Sequence, residues 1–362
     1  MSLISLQVQR ADFARSRIVE GPLPAPAEGQ ILVRIDKFAL TANNVTYALA
    51  GDALGYWKFF PVEDPWGVVP VWGFGDVVAS RSPDIVAGER LWGYWPMASH
   101  VALTPSKASP RGFHDASPHR QGLAATYNFY SRTDNDSPEL KALEDQRAIL
   151  FPLYATSYIL SDYLVDNSYF GAQDVLISSI SSKTGMGLGK LLVAAGEDRP
   201  RVIGLTSPGN LDYVRSLGVC DEVAPYAEIP ALDGDRSAVF VDMAGQGDVV
   251  AAVHARFGAK LKASVAVGVT HWDTKRFSNQ QGPATPHTFF FAPAQIAKRD
   301  KDWGPGEALR RAQKAWLGLA QDLSGAMTVS REFGAVAAQS AFARLVAGAQ
   351  SPKIGIIVSL SR

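Results

Sequence analysis

The sequence predicts an α/β protein in which a β-rich, partly open barrel is followed by a doubly wound parallel sheet. Three observations carry this. Short β-rich runs with regular Gly, Pro and Ser breaks fill the early chain, and helical signals are scarce before about residue 120. From Val175 onward, apolar runs alternate with helical patterns at the spacing of βα units. In the first of these units, Asp174 to Leu192, an apolar run crosses a Ser/Gly-rich turn into a helix.

At 362 residues the chain can hold one large or two ordinary domains and bury a core without disulfides. Charged residues make up 19%, too few for a disordered or tail-bearing chain. The 35 basic and 35 acidic residues cancel, which argues against nucleic acid as a partner. The one cysteine, Cys220, excludes an internal disulfide and a multi-cysteine zinc site, and its apolar setting predicts plain packing. Met1 to Arg10 lacks a basic flank followed by an apolar stretch, and no run of about eighteen apolar residues occurs. A cytoplasmic protein with no membrane partner is expected.

In order, Ile31 to Ile35 reads as a strand after the turn-rich Gly21 to Pro26. Val68–Val71, Gly75–Ala79, Gly88–Gly93 and Val101–Leu103 continue the β block. The stretch at about 106–146 is polar and weakly periodic but rich in His119, Arg120, Tyr127 and Tyr130, which predicts an ordered lid or pocket wall. Leu150 to Val165 has helical spacing. Strands at Val175–Ser178, Val202–Leu205, Val239–Val241, Val265–Val269 and Phe289–Phe291 follow, then a helix through Leu309, Trp316 and Leu323, and a last strand at Ile354–Val358.

This order resembles the medium-chain dehydrogenase/reductase superfamily, in its zinc-free quinone and enone reductase branch. The resemblance rests on Gly29 to Arg34, the Asn43 to Gly51 helix, Gly88-Glu89-Arg90-Leu91, Leu217 to Val223 and Pro352 to Ile357. Within it, His119-Arg120, Tyr127 to Arg132, Pro152 to Ser157 and Ser181 to Thr184 look like an offshoot catalogued only as a domain of unknown function. The resemblance implies a GroES-like barrel over 1–151 carrying the polar insertion, a Rossmann domain over 152–305 and a return over 306–362. It also implies pairing as a homodimer through the α/β domains. Asn43 and Val71-Trp72 stand where zinc relatives carry metal ligands, so no metal is expected and carbonyl polarisation falls to hydroxyl or amide donors.

The Ser-Ser-Lys-Thr turn departs from the usual dinucleotide fingerprint, because Gly185-Met186-Gly187-Leu188-Gly189 comes late. Ser181, Ser182 and Thr184 can meet a pyrophosphate, with Lys183 supplying charge and Gly185 opening the helix. A nucleoside-triphosphate loop and a plain helix cap are the competing readings. The second strand ends in Thr206-Ser207 without an acid, which favours NADP(H) over NAD, with Ser207, Lys183 and Arg215 as partners of a 2′-phosphate. The resemblance further implies roles near the nicotinamide for Thr156, Asp242, Gly268 and His271. For substrate chemistry the candidates are Tyr47 beside Asn43 and Asn44, then Tyr127 and His119. A reductase of a small-molecule quinone, enone or similar carbonyl is expected. A lyase or aldolase-type enzyme on the same scaffold, or a cofactor-sensing binder, remains open.

Overall fold

The protein is described by a computed structural model over residues 2–267, 285–325 and 327–360. It divides into two compact units, one of Met1–Pro152 with Ala320–Arg362 and one of Leu153–Leu319.

The first unit opens with strands β1 (Ser2–Gln9), β2 (Asp12–Pro22) and β3 (Ile31–Leu40) and helix α1 (Ala42–Leu49). Then come β4 (Trp66–Gly67), β5 (Pro70–Ser80), β6 (Arg90–Pro96) and β7 (His100–Leu103). β3 and β5 pair antiparallel and approach closely because β5 carries glycines: a Cβ on Gly73 would lie 2.1 Å from the Lys37 carbonyl oxygen. Side chains at such positions would force the strands apart and flatten the barrel wall.

The polar stretch at 106–146 is not a loop. It folds into β8 (Pro105–Ser109), β9 (Gly112–Asp115), β10 (Phe129–Arg132) and the short helix α2 (Pro138–Ala142). β10 pairs with both β9 and β6, so the insertion extends the barrel sheet. Its strands are four or five residues long, too short to show a hydrophobic period. What fixes the insertion is a buried ion pair, Arg120 Nε to Asp115 Oδ2 at 2.9 Å, each side chain about 1% exposed. Arg120 also donates to the Tyr130 hydroxyl at 3.0 Å, which in turn donates to the Tyr94 carbonyl at 2.6 Å.

Helix α3 (Glu144–Asp166) leads to the parallel sheet of the second unit: β11 (Asp174–Ile177), α4 (Lys183–Val193), β12 (Arg201–Thr206), α5 (Leu211–Leu217), β13 (Glu222–Pro225), β14 (Ala238–Asp242), α6 (Gly247–Phe257), β15 (Leu261–Ala266) and β16 (His287–Phe289). The strand order is β13-β12-β11-β14-β15-β16, all parallel. Strand residues alternate between faces. Val175, Ile177, Val239 and Val241 pack with Ile159, Leu160 and Leu188, whereas Leu176 and Phe240 pack with Val249 and Val253 of α6. Burial on both faces explains the unbroken apolar runs of the sequence.

Helices α7 (Ala292–Trp303) and α8 (Glu307–Gly325) follow. The second boundary between units falls within α8, later than the 305/306 expected from sequence. The return supplies β17 (Thr328–Phe333), α9 (Ala335–Val346) and β18 (Ile354–Ser359), with β18 antiparallel to β3. Among the described residues one helix, α3, is long and apolar enough to cross a membrane, and most of that stretch is buried inside the protein.

Candidate active site

Each unit gathers residues singled out in the sequence into a polar cluster. In the first, α1 begins at Thr41, whose backbone N–H donates to Asn44 Oδ1 at 2.7 Å in a reciprocal capping box. Asn44 Nδ2 donates to the Pro70 carbonyl at 2.9 Å, so both ends of that amide hold the helix in place. Asn43 and Tyr47 lie four residues apart on one face, and Asn43 hydrogen-bonds the Tyr47 hydroxyl.

Around Tyr47 the structure gathers three more phenols. Tyr47 and Tyr56 have ring centroids 4.7 Å apart, Tyr94 and Tyr127 likewise 4.7 Å, and Tyr47 and Tyr94 meet edge-on at 5.5 Å. The Tyr56 and Tyr127 hydroxyls are 3.2 Å apart, and Trp72 Nε1 donates to the Tyr47 hydroxyl at 3.2 Å. Phe59 packs on Tyr94 and Tyr127, and Trp72 stacks on Trp92 at 5.6 Å. Burial drives all four phenols above their ordinary proton affinity, and their mutual proximity adds to the rise at Tyr47, Tyr94 and Tyr127. They therefore stay protonated near neutrality and act as hydrogen-bond donors rather than bases.

His119 is not one of this group. It is exposed, with Nε2 3.2 Å from the Phe59 carbonyl oxygen, behind the ring that Tyr94 and Tyr127 contact. Partial burial, then the Arg120 charge, lowers its proton affinity, so it is neutral at pH 7.

In the second unit the cluster sits at the carboxyl ends of β11, β12 and β14. Ser178 donates to Asp242 Oδ1 at 2.6 Å and accepts from the Met243 and Ala244 amides at 2.9 and 3.2 Å. Asp242, fully buried, also accepts from the Ala244 and Gly245 amides at 3.0 and 3.1 Å. It thereby ties the turn after β14 to the turn after β11. Ser179 adopts a left-handed φ of 46°, and its amide donates to the Tyr226 hydroxyl at 2.9 Å. Ser182 caps α4 by accepting from the Gly185 amide at 3.1 Å.

Ser181 Oγ accepts from Thr206 Oγ1 at 3.2 Å and from Asn210 Nδ2 at 3.3 Å, while Asn210 Nδ2 also reaches Ser207 Oγ at 3.0 Å. Lys183 is half-buried, and loss of solvent pulls its pKa down to about 8. Thr156 is half-buried on α3, beside Ser157, whose hydroxyl donates to the Thr184 carbonyl at 2.7 Å. Arg215 pairs with Asp212 on exposed α5.

The late glycines serve packing. A Cβ on Gly185 would lie 2.7 Å from the Ser179 carbonyl oxygen, on Gly187 2.8 Å from Ser157 Oγ, and on Gly189 2.2 Å from the Val219 carbonyl oxygen. They let α4 sit tightly against its neighbours. Gly268 and His271 lie outside the described residues.

Thus Asn43, Tyr47 and Tyr127 come together in one unit, and Ser181, Ser182, Lys183, Thr184, Gly185, Ser207 and Asp242 line one edge of the other. Tyr94, Tyr226, Thr206 and Asn210 were not foreseen in these clusters. Thr206 and Asn210 flank the acid-free strand end, a signal that could have found them; Tyr94 sits in an apolar strand with no distinguishing pattern.

The fold defined by a barrel unit and a parallel-sheet unit is that of the medium-chain dehydrogenase/reductase superfamily. Solved structures similar to this chain include CurA from Vibrio vulnificus in complex with NADPH, at 14% identity and TM-score 0.65 over 99% of each chain. A putative NADPH:quinone reductase from Mesorhizobium loti matches at 13% identity and TM-score 0.62 over 99% of this chain and 98% of that one. Mycobacterial Rv1454c complexed with NADPH matches at 16% identity and TM-score 0.57, over 99% of this chain and all of the other. More narrowly, the chain belongs to the family described as protein of unknown function (DUF2855), which matches residues 38–351. No curated protein matches the sequence.

Proposed function

We propose that this protein is an NADPH-dependent reductase of a quinone, enone or similarly activated carbonyl compound, working without metal as a cytoplasmic homodimer. The observation that carries the reading is the acid-free end of β12, where Thr206, Ser207, Asn210 and Ser181 form a cluster of hydroxyl and amide groups. A carboxylate there would repel a 2′-phosphate, whereas neutral donors can meet it. Two of the similar structures are complexes with NADPH and a third is a putative NADPH:quinone reductase, which supports the same cofactor.

The polar set of the second unit fits a dinucleotide: Ser181, Ser182, Lys183 and Thr184 for the pyrophosphate, Ser207 and Asn210 for the 2′-phosphate, and Thr156 and Asp242 toward the nicotinamide end. When bound, NADPH supplies a hydride. The protein's own work is then to stabilise charge building on the substrate oxygen. Tyr47 suits that task because Trp72 donates to its oxygen, which leaves the phenolic hydrogen to point elsewhere. Asn43 adds an amide donor, and Tyr56, Tyr94, Tyr127 and Phe59 form an aromatic wall for a flat substrate.

A second reading is a non-redox enzyme or cofactor-sensing binder, favoured by the turn itself, where the Ser179 amide is taken by Tyr226 and the Gly185 amide by Ser182. Titrating the full chain with NADPH, then following absorbance loss across a panel of quinones, enones and aldehydes, decides between them. Saturable binding with turnover on any panel member is expected; binding without consumption would replace the first reading with the second.

A further inference from the structure

Outside the two clusters, the first unit buries a cation that the proposed chemistry does not use. Arg147 lies one turn into α3, and its side chain is 3% exposed. The start of that helix is held to the barrel by Lys37 and Arg90, which pair with Glu144, and by Lys37 and Arg331, which pair with Asp145. Arg147 is thereby carried against the barrel sheet, where its Cζ sits 4.8 Å from the centroid of the Trp92 ring and 5.8 Å from that of Phe74. Its guanidinium donates to Asp136 Oδ2 at 2.7 Å, so the counter-ion comes from the inserted stretch, in the turn after β10.

Arginine is a poor choice for merely filling this space. A guanidinium gives up its hydration on burial, and an apolar side chain of similar volume would stabilise the fold at least as well. The Arg147 Nε makes no hydrogen bond. Nor does the insertion need this pair as an anchor, since β10 is already laid on β6 and Arg120 is paired with Asp115. What the guanidinium adds is a flat, rigid, charged plate that the face of an indole attracts. Asp136 pins the plate, and the plate fixes the plane of Trp92.

That plane matters because of what lies against it. β5 and β6 pair antiparallel with Trp72 opposite Tyr94 and Phe74 opposite Trp92, so Trp72 and Trp92 are diagonal neighbours on one face of the sheet. Their rings stack 5.6 Å apart at 21°. Trp72 in turn donates to the Tyr47 hydroxyl at 3.2 Å, the long end of the range for such a bond. A tilt of Trp92 passes to Trp72 and breaks that bond. Tyr47 can then turn its hydrogen toward Asn43, with which it already interacts, and away from a substrate.

We propose that Arg147, pinned by Asp136, is a positioning residue that acts through Trp92 and Trp72 to keep the Tyr47 hydroxyl aimed at the substrate. The proposal rests on the reading of Tyr47 as the donor to the substrate oxygen.

The test compares the full-length wild type with two variants. Arg147→Met/Asp136→Asn fills the same space and leaves no lone buried charge. Arg147→Lys keeps the charge and its partner but lacks the plate. The first readout is the set of indole N–H resonances in nitrogen-15-labelled protein without cofactor, with Trp72 assigned by its loss in Trp72→Phe. In both variants the Trp72 signal should move toward its position in Tyr47→Phe, where the acceptor is absent. Trp95, whose indole donates to the Gly73 carbonyl at 2.8 Å and whose side chain leaves β6 on the other face, should keep its signal. The second readout is turnover of a panel quinone with NADPH, in which kcat should fall about tenfold while KM for NADPH is unchanged. A Trp72 signal at its wild-type position, a Trp95 signal displaced as far as that of Trp72, or an unchanged kcat would overturn the proposal. If the double variant does not fold, Arg147→Lys decides by the same criteria. Should the wild type turn over no panel compound, the reductase reading falls, and the coupling of Arg147 to Tyr47 is judged on the indole signals alone: a Trp72 shift with Trp95 unmoved supports it and any other pattern removes it.

Discussion

In the barrel unit buried hydroxyls meet across aromatic faces, Tyr56 with Tyr127 and Tyr47 with the Trp72 indole, whereas in the parallel-sheet unit buried Ser178 and Asp242 are satisfied mainly by backbone amides. The difference teaches where each cluster is rigid. A phenol that loses its hydroxyl still fills its space with a ring, so the first cluster can lose chemistry while keeping its packing. A carboxylate that accepts from two turns cannot be removed without orphaning their amides, so the second ties local structure to chemistry.

Substitutions can break this contrast in order of size. Asp242→Ala should cost about 3–5 kcal/mol in a denaturant titration, because it strands the Ser178 hydroxyl and the Ala244 and Gly245 amides in the interior. Tyr47→Phe should cost only about 1 kcal/mol in the same titration, for the acceptor lost to the part-buried Trp72 indole, while lowering kcat/KM about 100-fold, the effect of losing one donor to a developing oxyanion. An equal loss of stability in Tyr47→Phe would erase the distinction between the clusters.

Lys183→Met should stabilise the cofactor-free protein by about 1 kcal/mol at pH 7, after allowing for solvent at the half-buried site, while weakening NADPH binding. The folded-state pKa of about 8 lies below the usual lysine value of 10.5, so the unfolded chain holds more protons between them. The lysine therefore burdens the fold fully below pH 8, and the burden lifts as pH rises toward 10.5. Melting temperatures of both proteins across that range check the sign. The smallest effect concerns acid. Burial lowers the proton affinity of His100, His114, His119 and His254, so the unfolded chain binds more protons as pH falls below the ordinary histidine value of 6.5. The melting temperature should drop by a few degrees, about 2–4 °C per kcal/mol lost, before carboxylates titrate.

The two clusters were also unequally legible in the sequence. The βα units announce themselves because Val175-Leu176-Ile177 and Val239-Phe240-Val241 are buried on both faces and so contain no polar interruption. The turn after β11 could be located from its small residues, but its internal bonding could not, since Asp242 and Tyr226 reach it from distant strands. In the barrel, Tyr47 could be singled out beside Asn43, yet its partners Tyr56, Tyr94 and Tyr127 come from three separate segments. The strands of the insertion were hidden for a different reason: at four or five residues they leave too few alternations to show a period.

The stacking of Trp72 on Trp92, amid tyrosine rings at 5.0 to 6.1 Å from Trp72, has an optical consequence. Light absorbed by the phenols passes efficiently to an indole at such separations, and Trp72 is also hydrogen-bonded to Tyr47. The emission of Trp72 thus collects the excitation of the whole cluster. A flat aromatic molecule entering among these rings would interrupt that transfer, so excitation near the tyrosine maximum, compared between wild type and Trp72→Phe, turns the cluster into its own reporter of occupancy.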